Sequence, residues 1–246
     1  MEFQNHFLRE ALCAFRYDVA PDQAEPAVEY VHRFYSQLKE QGFTAQQQQP
    51  FELTVRFEAT DNPEAIKPEV SKGQPSLVLR NETTGYAIII GAGLISFNCL
   101  KPYPGWTIFL AELVEQYLPV YAALGISQQL KAVQMAYIND FELAPDESAH
   151  DYLSHLPQLA EIPEAITTGH ASQSHFQVEP TTVVTLQTQL LVGQPGTSNR
   201  VILECNATST PSPAAPDELA LANKAHTAAR AAFMSVATAK YKAVIA

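Results

Sequence analysis

The densest run of chemically competent side chains in this 246-residue chain is Asp140, Glu142, Asp146, Glu147, His150, Asp151 and His155, with His170 and His175 further along. Imidazole and carboxylate together are the ligand chemistry of zinc or manganese. Residues five apart on a helix lie about 140° apart around its axis, so His150 and His155 do not share a face and no regular ligand set emerges. The expectation is therefore a solvated acidic stretch, with no metal and no other cofactor. Two further places carry candidates. His226 stands in the stripe Leu219, Ala222, His226, Ala229, Phe233, Val236, Lys240, whose spacing of three and four turns it toward the body of the protein. A half-buried imidazole needs a hydrogen-bond partner or loses basicity; it is either a core histidine bonded to a neighbouring carbonyl or a catalytic group. Tyr137 and Asn139 alternate to one side of a strand, where they line a pocket or, for Asn139, satisfy edge or turn backbone.

The common catalytic signatures do not occur. Gly91-Ala-Gly93 has Ser96 where a dinucleotide loop needs its third glycine, and the residues after it continue as strand and do not open a helix. No Gly-x-Ser-x-Gly elbow, phosphate loop, His-Glu-x-x-His helix or Cys-x-x-Cys pair is present. Cys13, Cys99 and Cys205 are odd in number, far apart and set in apolar runs, which fits buried thiols better than disulfides.

These groups must be carried by an alternation of strands and helices. Ala11–Tyr17 reads as a strand, and Pro26 opens a helix with the stripe Ala27, Val31, Phe34, Leu38 that Gly42 ends. Phe51–Glu58 alternates strictly and makes a strand with one wet face. Ser76–Arg80 and Tyr86–Phe97 form a hairpin across the turn residues Asn81–Gly85. A second helix follows Pro104-Gly105, with Trp106, Phe109, Leu110, Leu113 and Tyr117 on one face and a kink or restart near Leu118 imposed by Pro119. Ala132–Leu143 is the next strand. Ala144–Gly169, with three prolines and a short helical piece around Ser148–Leu156, reads as a connector. Thr181–Val192 and Arg200–Asn206 make a second hairpin, and the proline-rich Thr210–Pro216 sets up a final helix running from Asp217 and Glu218 to Lys240 and Lys242. The order β-α-β-β-β-α-β, then β-β-α, predicts an α+β fold of mainly antiparallel sheet with helices packed on one face. The division expected is an N-terminal α+β unit over 1–143, a connector over 144–175, and a hairpin plus C-terminal helix over 176–246 on the same body.

Three stretches in order, Glu10-Ala11 with Phe15-Arg16-Tyr17, Asn98 with Tyr103-Pro-Gly-Trp106, and Tyr137-Ile-Asn139, are joined by His226, Phe233 and Thr238 on the last helix. Together they resemble a sporadically distributed family of uncharacterised prokaryotic proteins. The chain departs from the family pattern at Gln134-Met135-Ala136, where the family has Gly-Leu-Arg, so any role of that arginine is absent. The resemblance implies a fold and no reaction. Its sporadic distribution is associated with defence or immunity modules, hence an accessory protein that binds a basic toxin or effector.

Charge points the same way. The 15 Lys and Arg against 26 Asp and Glu leave a net charge of -11, which repels phosphate backbones and argues against nucleic acid as partner. Between Pro102 and Asn199 a single base, Lys131, faces ten acids, so most of the net charge lies there. Such a span is a solubility device or the face that meets a basic protein partner, with Glu142, Asp146, Glu147 and Asp151 as its centre. The longest apolar run, Tyr86–Phe97, is too short to span a membrane, and the N-terminus has no secretory pattern, so a cytoplasmic protein is expected, with a homo-oligomer left open. The reading is a non-catalytic protein-binding module. The alternative is an enzyme or small-ligand-binding protein with a pocket between the sheet and the last helix, using His226 with Tyr137 or Asn139.

Overall fold

The computed structural model describes residues 7–18, 35–36, 38–48, 51–56, 67–72, 76–91, 93–100, 102–123, 129–144, 146–156, 169–192, 198–211 and 217–245, with the backbone alone at 47–48, 51–56, 67–72 and 245. Nine strands form one antiparallel sheet: β1 (Leu8–Tyr17), β2 (Thr44–Gln48), β5 (Ser76–Asn81), β6 (Tyr86–Gly91), β7 (Leu94–Leu100), β8 (Leu130–Leu143), β9 (Gly169–Glu179), β10 (Thr182–Leu191) and β11 (Asn199–Ser209). Across the sheet they run β2-β5-β6-β7-β1-β8-β11-β10-β9. The strands β3 (Phe51–Arg56) and β4 (Lys67–Lys72) pair with each other as a separate two-stranded ribbon.

The expected α+β class with a mainly antiparallel sheet is what the chain adopts. The expected order of elements differs in several places. Three polar segments not expected as strands, Thr44–Gln48, Lys67–Lys72 and Gly169–Glu179, are strands, because ladder hydrogen bonds form whatever the side chains are. The last of these begins inside the stretch read as connector. The apolar run Tyr86–Phe97 is two strands and not one. The chain reverses between Gly91 and Leu94, and Gly93 takes φ 61°, a backbone open to glycine at little cost. Gly91 and Gly93 thus stand at the turn of a hairpin, with Gly91 paired to Leu94. The turn at Asn81–Gly85 forms as its composition implied: the Asn81 carboxamide oxygen accepts from the Thr83 and Thr84 amides at 3.0 and 3.1 Å, and Gly85 has φ 72°.

Gly105, at φ 96°, opens the second helix, α1 (Trp106–Phe109), which runs through a π-helical turn at Leu110–Val114 into α2 (Glu115–Ala122). The helix continues through Pro119. Its irregularity lies upstream of the expected place, at the π turn, where the Glu115 amide reaches back to the Leu110 carbonyl. One extra residue in a turn rotates the buried face, so Val114, Leu118 and Tyr121 join Phe109, Leu113 and Tyr117 in the core. The start of the first expected helix lies outside the described residues; at its end Tyr35, Ser36, Leu38 and Lys39 are helical, Leu38 is buried, and Gly42 follows at φ 88°. The Thr210–Pro216 linker falls mostly outside the described residues as well.

The final helix is two helices, α4 (Glu218–Val236) and α5 (Ala239–Ile245), after the short α3 (Ala149–Tyr152). Asp217 caps α4, its carboxylate accepting from the Leu219 and Ala220 amides at 3.0 and 3.1 Å. The break at Ala237 is made by α3. Ala237 bridges to Leu153, the Ser154 amide donates to the Val236 carbonyl, and the Thr238 amide donates to the Tyr152 carbonyl, both at 2.9 Å. These contacts claim backbone groups that a continuous helix would have used.

Both apolar clusters draw on one face of the sheet. One packs Ala11, Cys13, Phe15, Ile88, Phe97 and Met135 against α1, α2 and α4; the other packs Phe141, Leu203 and Cys205 against Phe233, Val236 and Tyr241. The three cysteines are buried free thiols on that face, and burial pushes each thiol well above its ordinary range, which makes them inert. Among the described residues no helix is long and apolar enough to cross a membrane.

Candidate functional site

Tyr137 and His226 meet. Strand β8 turns the phenol inward and α4 lays the imidazole over it, so that the Tyr137 hydroxyl and His226 Nδ1 are 2.5 Å apart. The Tyr103 hydroxyl lies 3.5 Å from that of Tyr137. The Trp106 indole stacks flat on the imidazole, with ring centroids 4.5 Å apart and planes 4° apart, while its N–H donates to the Asn223 carboxamide oxygen at 2.8 Å. Three separated segments, the start of α1, the middle of β8 and the first half of α4, are thus joined by one polar aromatic cluster.

The electrostatics of this cluster decide its chemistry. Burial, helped by the nearby Arg230 charge, pulls His226 down to about 4, so the imidazole is neutral near pH 7. Burial likewise pushes the Tyr103 and Tyr137 phenols upward, and neither ionises near neutrality. A neutral imidazole of low basicity beside two un-ionised phenols is a weak acid–base set. It is a strong fastening, because each buried polar group has a partner. Asn139, also facing the helices, does not join it. Asn139 is buried, and its carboxamide oxygen has no partner among the described residues.

The acidic candidates are spread around the far end of β8. Asp140 faces away from the helices and is bridged by Arg200, whose Nε donates at 2.6 Å, and by Arg9, brought to that face by a bulge in β1. Arg200 first, and Arg9 with it, hold the Asp140 carboxyl below its usual range. Glu147 accepts from the Tyr152 hydroxyl and pairs with Lys240 of α5, each at 2.7 Å, and also accepts from the Ala144 amide; these contacts, Lys240 foremost, hold its carboxyl down to about 2. Asp151 closes a capping box with Ser148 at the start of α3 and lies 3.7 Å from Lys240. Glu142 and Asp146 are exposed. Glu147 and Asp151 therefore tie α3 to α5, and their reversal would bear on stability as well as on any partner.

Of the histidines in the acidic stretch and beyond it, His150 and His170 line one small cavity of about 320 Å³ with Glu147 and Asn199, whereas His155 bonds Thr188 on β10 at 2.9 Å and His175 bonds Thr185 at 3.1 Å. Among the described residues no cluster of three or more His, Cys, Asp or Glu side chains is arranged to hold a metal ion.

A concavity larger than that small cavity lies between the sheet and the last long helix, and His226 does not line it. It is a groove of about 930 Å³ between α4 and the outer strands β9 and β10. Phe176, Val178 and Leu186 form its floor, Ala228, Ala231 and Ala232 its wall. Lys224 spans the entrance, donating to Thr181 Oγ1 at 2.9 Å and pairing with Glu179 at 2.7 Å. Neither Tyr137, Asn139 nor His226 lines it. The alternative pocket expected between sheet and last helix had other lining residues, because β9 is mostly polar; the one trace of this lining is the alternation of Phe176 and Val178 near the strand's end.

The chain matches no protein-family model and no curated protein.

Proposed function

We propose that this chain is a non-catalytic protein-binding module, and that the groove between α4 and the β9–β10 edge receives an apolar segment of a basic partner. The observation that carries the reading is the groove itself, open, apolar and bordered by a strand edge, which is the form taken by sites that accept extended or helical peptide segments. Most of the polar side chains that line it are committed elsewhere: Lys224 to Glu179 and Thr181, His155 to Thr188, Asn223 to Trp106, Thr182 to Ser209, and Thr227 and Ser235 to carbonyls of α4. The net charge of -11 supplies long-range attraction for a basic partner, while the groove supplies the contact. The resemblance to the uncharacterised prokaryotic family adds a setting, an accessory protein in defence or immunity, that rests on its short motifs.

The test uses two fluorescently labelled peptides of one apolar pattern, one with lysines and one with glutamates at the intervening positions. The lysine peptide should bind, weaken as salt is raised, and be lost on Ala231→Trp, which fills the groove from an exposed helix position. Equal binding of both peptides, or unchanged binding to the Ala231→Trp chain, would sink the proposal.

A second reading is favoured by the groove's volume, which falls in the range of small-molecule sites, about 300–1,000 Å³. In that reading the groove holds a small apolar ligand. Native mass spectrometry of the chain purified from its host would show a retained mass that Ala231→Trp abolishes.

A further inference from the structure

We infer that β9 is the pairing edge of a two-fold dimer, in which a second copy of this chain continues the sheet. This goes beyond the binding reading above and does not depend on it.

The sheet ends differently on its two sides. At one end β2 has 5 residues; at the other β9 has 11, and it is hydrogen-bonded only to β10 among the described strands. Proteins guard a long free edge with charge, proline, or a bulge that twists it away. From Gly169 to Val178 there is no Lys, Arg, Asp, Glu or Pro, and Glu179 at the end is paired with Lys224. The one irregularity in its pairing with β10 falls at the Thr182 end, leaving the strand in register from Gly169 to Gln177.

Exposed apolar side chains collect at the same edge. Of the six large hydrophobic side chains exposed among the described residues, four are here: Phe176 and Val178 on β9, Val183 and Leu191 on β10. Phe176 pairs across from Val184, which is buried under the helices, so Phe176 and Val178 face the helix side; Val183 and Leu191 face the other. A covering helix would hide one face only. A continued sheet brings neighbours to both.

Charge decides which strand can come. Two copies of a chain carrying -11 repel wherever their acids face each other, and the β9 edge is a stretch where they do not. An antiparallel pairing about a two-fold axis at Ser174 sets Ser172 against Phe176, His170 against Val178 and Gln173 against His175 of the other copy. No like charges are opposed, and small serines stand across from the phenylalanine. Because such an axis is perpendicular to the sheet, both helix faces lie on the same side. The two grooves then merge into one cleft with an α4 helix along each wall, so each copy completes the other's site.

The 246-residue chain should sediment at twice 27.0 kDa and dissociate on dilution, and hydrogen exchange of β9 amides should speed up at least tenfold as it does so. The double variant Ser174→Lys/Phe176→Lys should sediment at 27.0 kDa with an unchanged circular dichroism spectrum. If that variant fails to fold, the dilution-dependent exchange of the unmodified chain decides. A monomer at every concentration, or a dimer whose β9 amides exchange at the same rate before and after dilution, would overturn the inference.

Discussion

The imidazole of His226 lies parallel to the indole of Trp106 at 4.5 Å while its Nδ1 is held 2.5 Å from the Tyr137 hydroxyl. One side chain of α4 is thereby fixed through its face to α1 and through its edge to β8. Stacking sets the plane of the ring and the hydrogen bond sets its rotation, so this one residue helps orient α4 on the sheet.

Replacing either partner should therefore expose the cost of an unpaired buried group. His226→Phe keeps a ring against Trp106 and removes the nitrogen facing Tyr137; Tyr137→Phe does the reverse. Each should lower stability by about 1–3 kcal/mol, the penalty of stranding a buried polar atom. The double variant should cost less than the two together. Urea unfolding of the four chains measures this coupling, and simple additivity would mean that the two groups do not interact.

Stability should also fall on mild acidification. His226 titrates at about 4 in the folded chain against an ordinary 6.5, so between those values the unfolded chain binds a proton that the folded one does not. The contribution is complete above about 6.5, declines as the pH falls toward 4, and is constant below. His155, lowered by burial, acts in the same direction. The carboxylates Glu147 and Asp140 are depressed, so their contributions fade at lower pH, below the ordinary carboxylate range. Subtracting the unfolding curve of His226→Phe from that of the unmodified chain should isolate a slope confined to pH 4–6.5. A flat difference would show that the imidazole is not protected from protonation.

Lys240 is the shared cation for Glu147 and Asp151. Lys240→Met should destabilise the chain at low salt and do so less at high salt, as expected for a partly exposed pair. By NMR titration, the Glu147 carboxyl should rise from about 2 toward its ordinary range. An unmoved carboxyl would mean that Tyr152 and the Ala144 amide alone hold it.

Small residues let α4 approach the sheet. Ala222, Ala225 and Ala229 are fully buried against β8 and β11. Ala229→Leu should cost about 1–3 kcal/mol through overpacking, whereas Ala231→Leu, on an exposed position, should change stability little. Thermal unfolding of the two variants compares them directly; equal effects would mean that the helix–sheet spacing is loose.

Much of the fold is local, and that much was legible in the residues. Strict alternation marked β3, because side chains on a pleated strand must face opposite ways, and apolar runs bounded by turn residues marked β1, β5, β8, β10 and β11. Asn81–Gly85 announced its turn through asparagine and glycine, and the α4 stripe announced that His226 would face inward. None of that could locate β9, whose polar residues become a strand only because β10 offers them a ladder. Nor could it foresee that Lys240 belongs to a separate helix, since the break at Ala237 is imposed by Tyr152 and Ser154 from far along the chain. The acidic span shows the division most clearly. Counting charge identified it, but Arg9, Arg200 and Lys240, distant in sequence, neutralise Asp140, Glu147 and Asp151 in space. Composition and periodicity fix what each segment prefers. Which groups remain free to meet a partner depends on long-range pairing, and that is settled only when the chain has closed on itself.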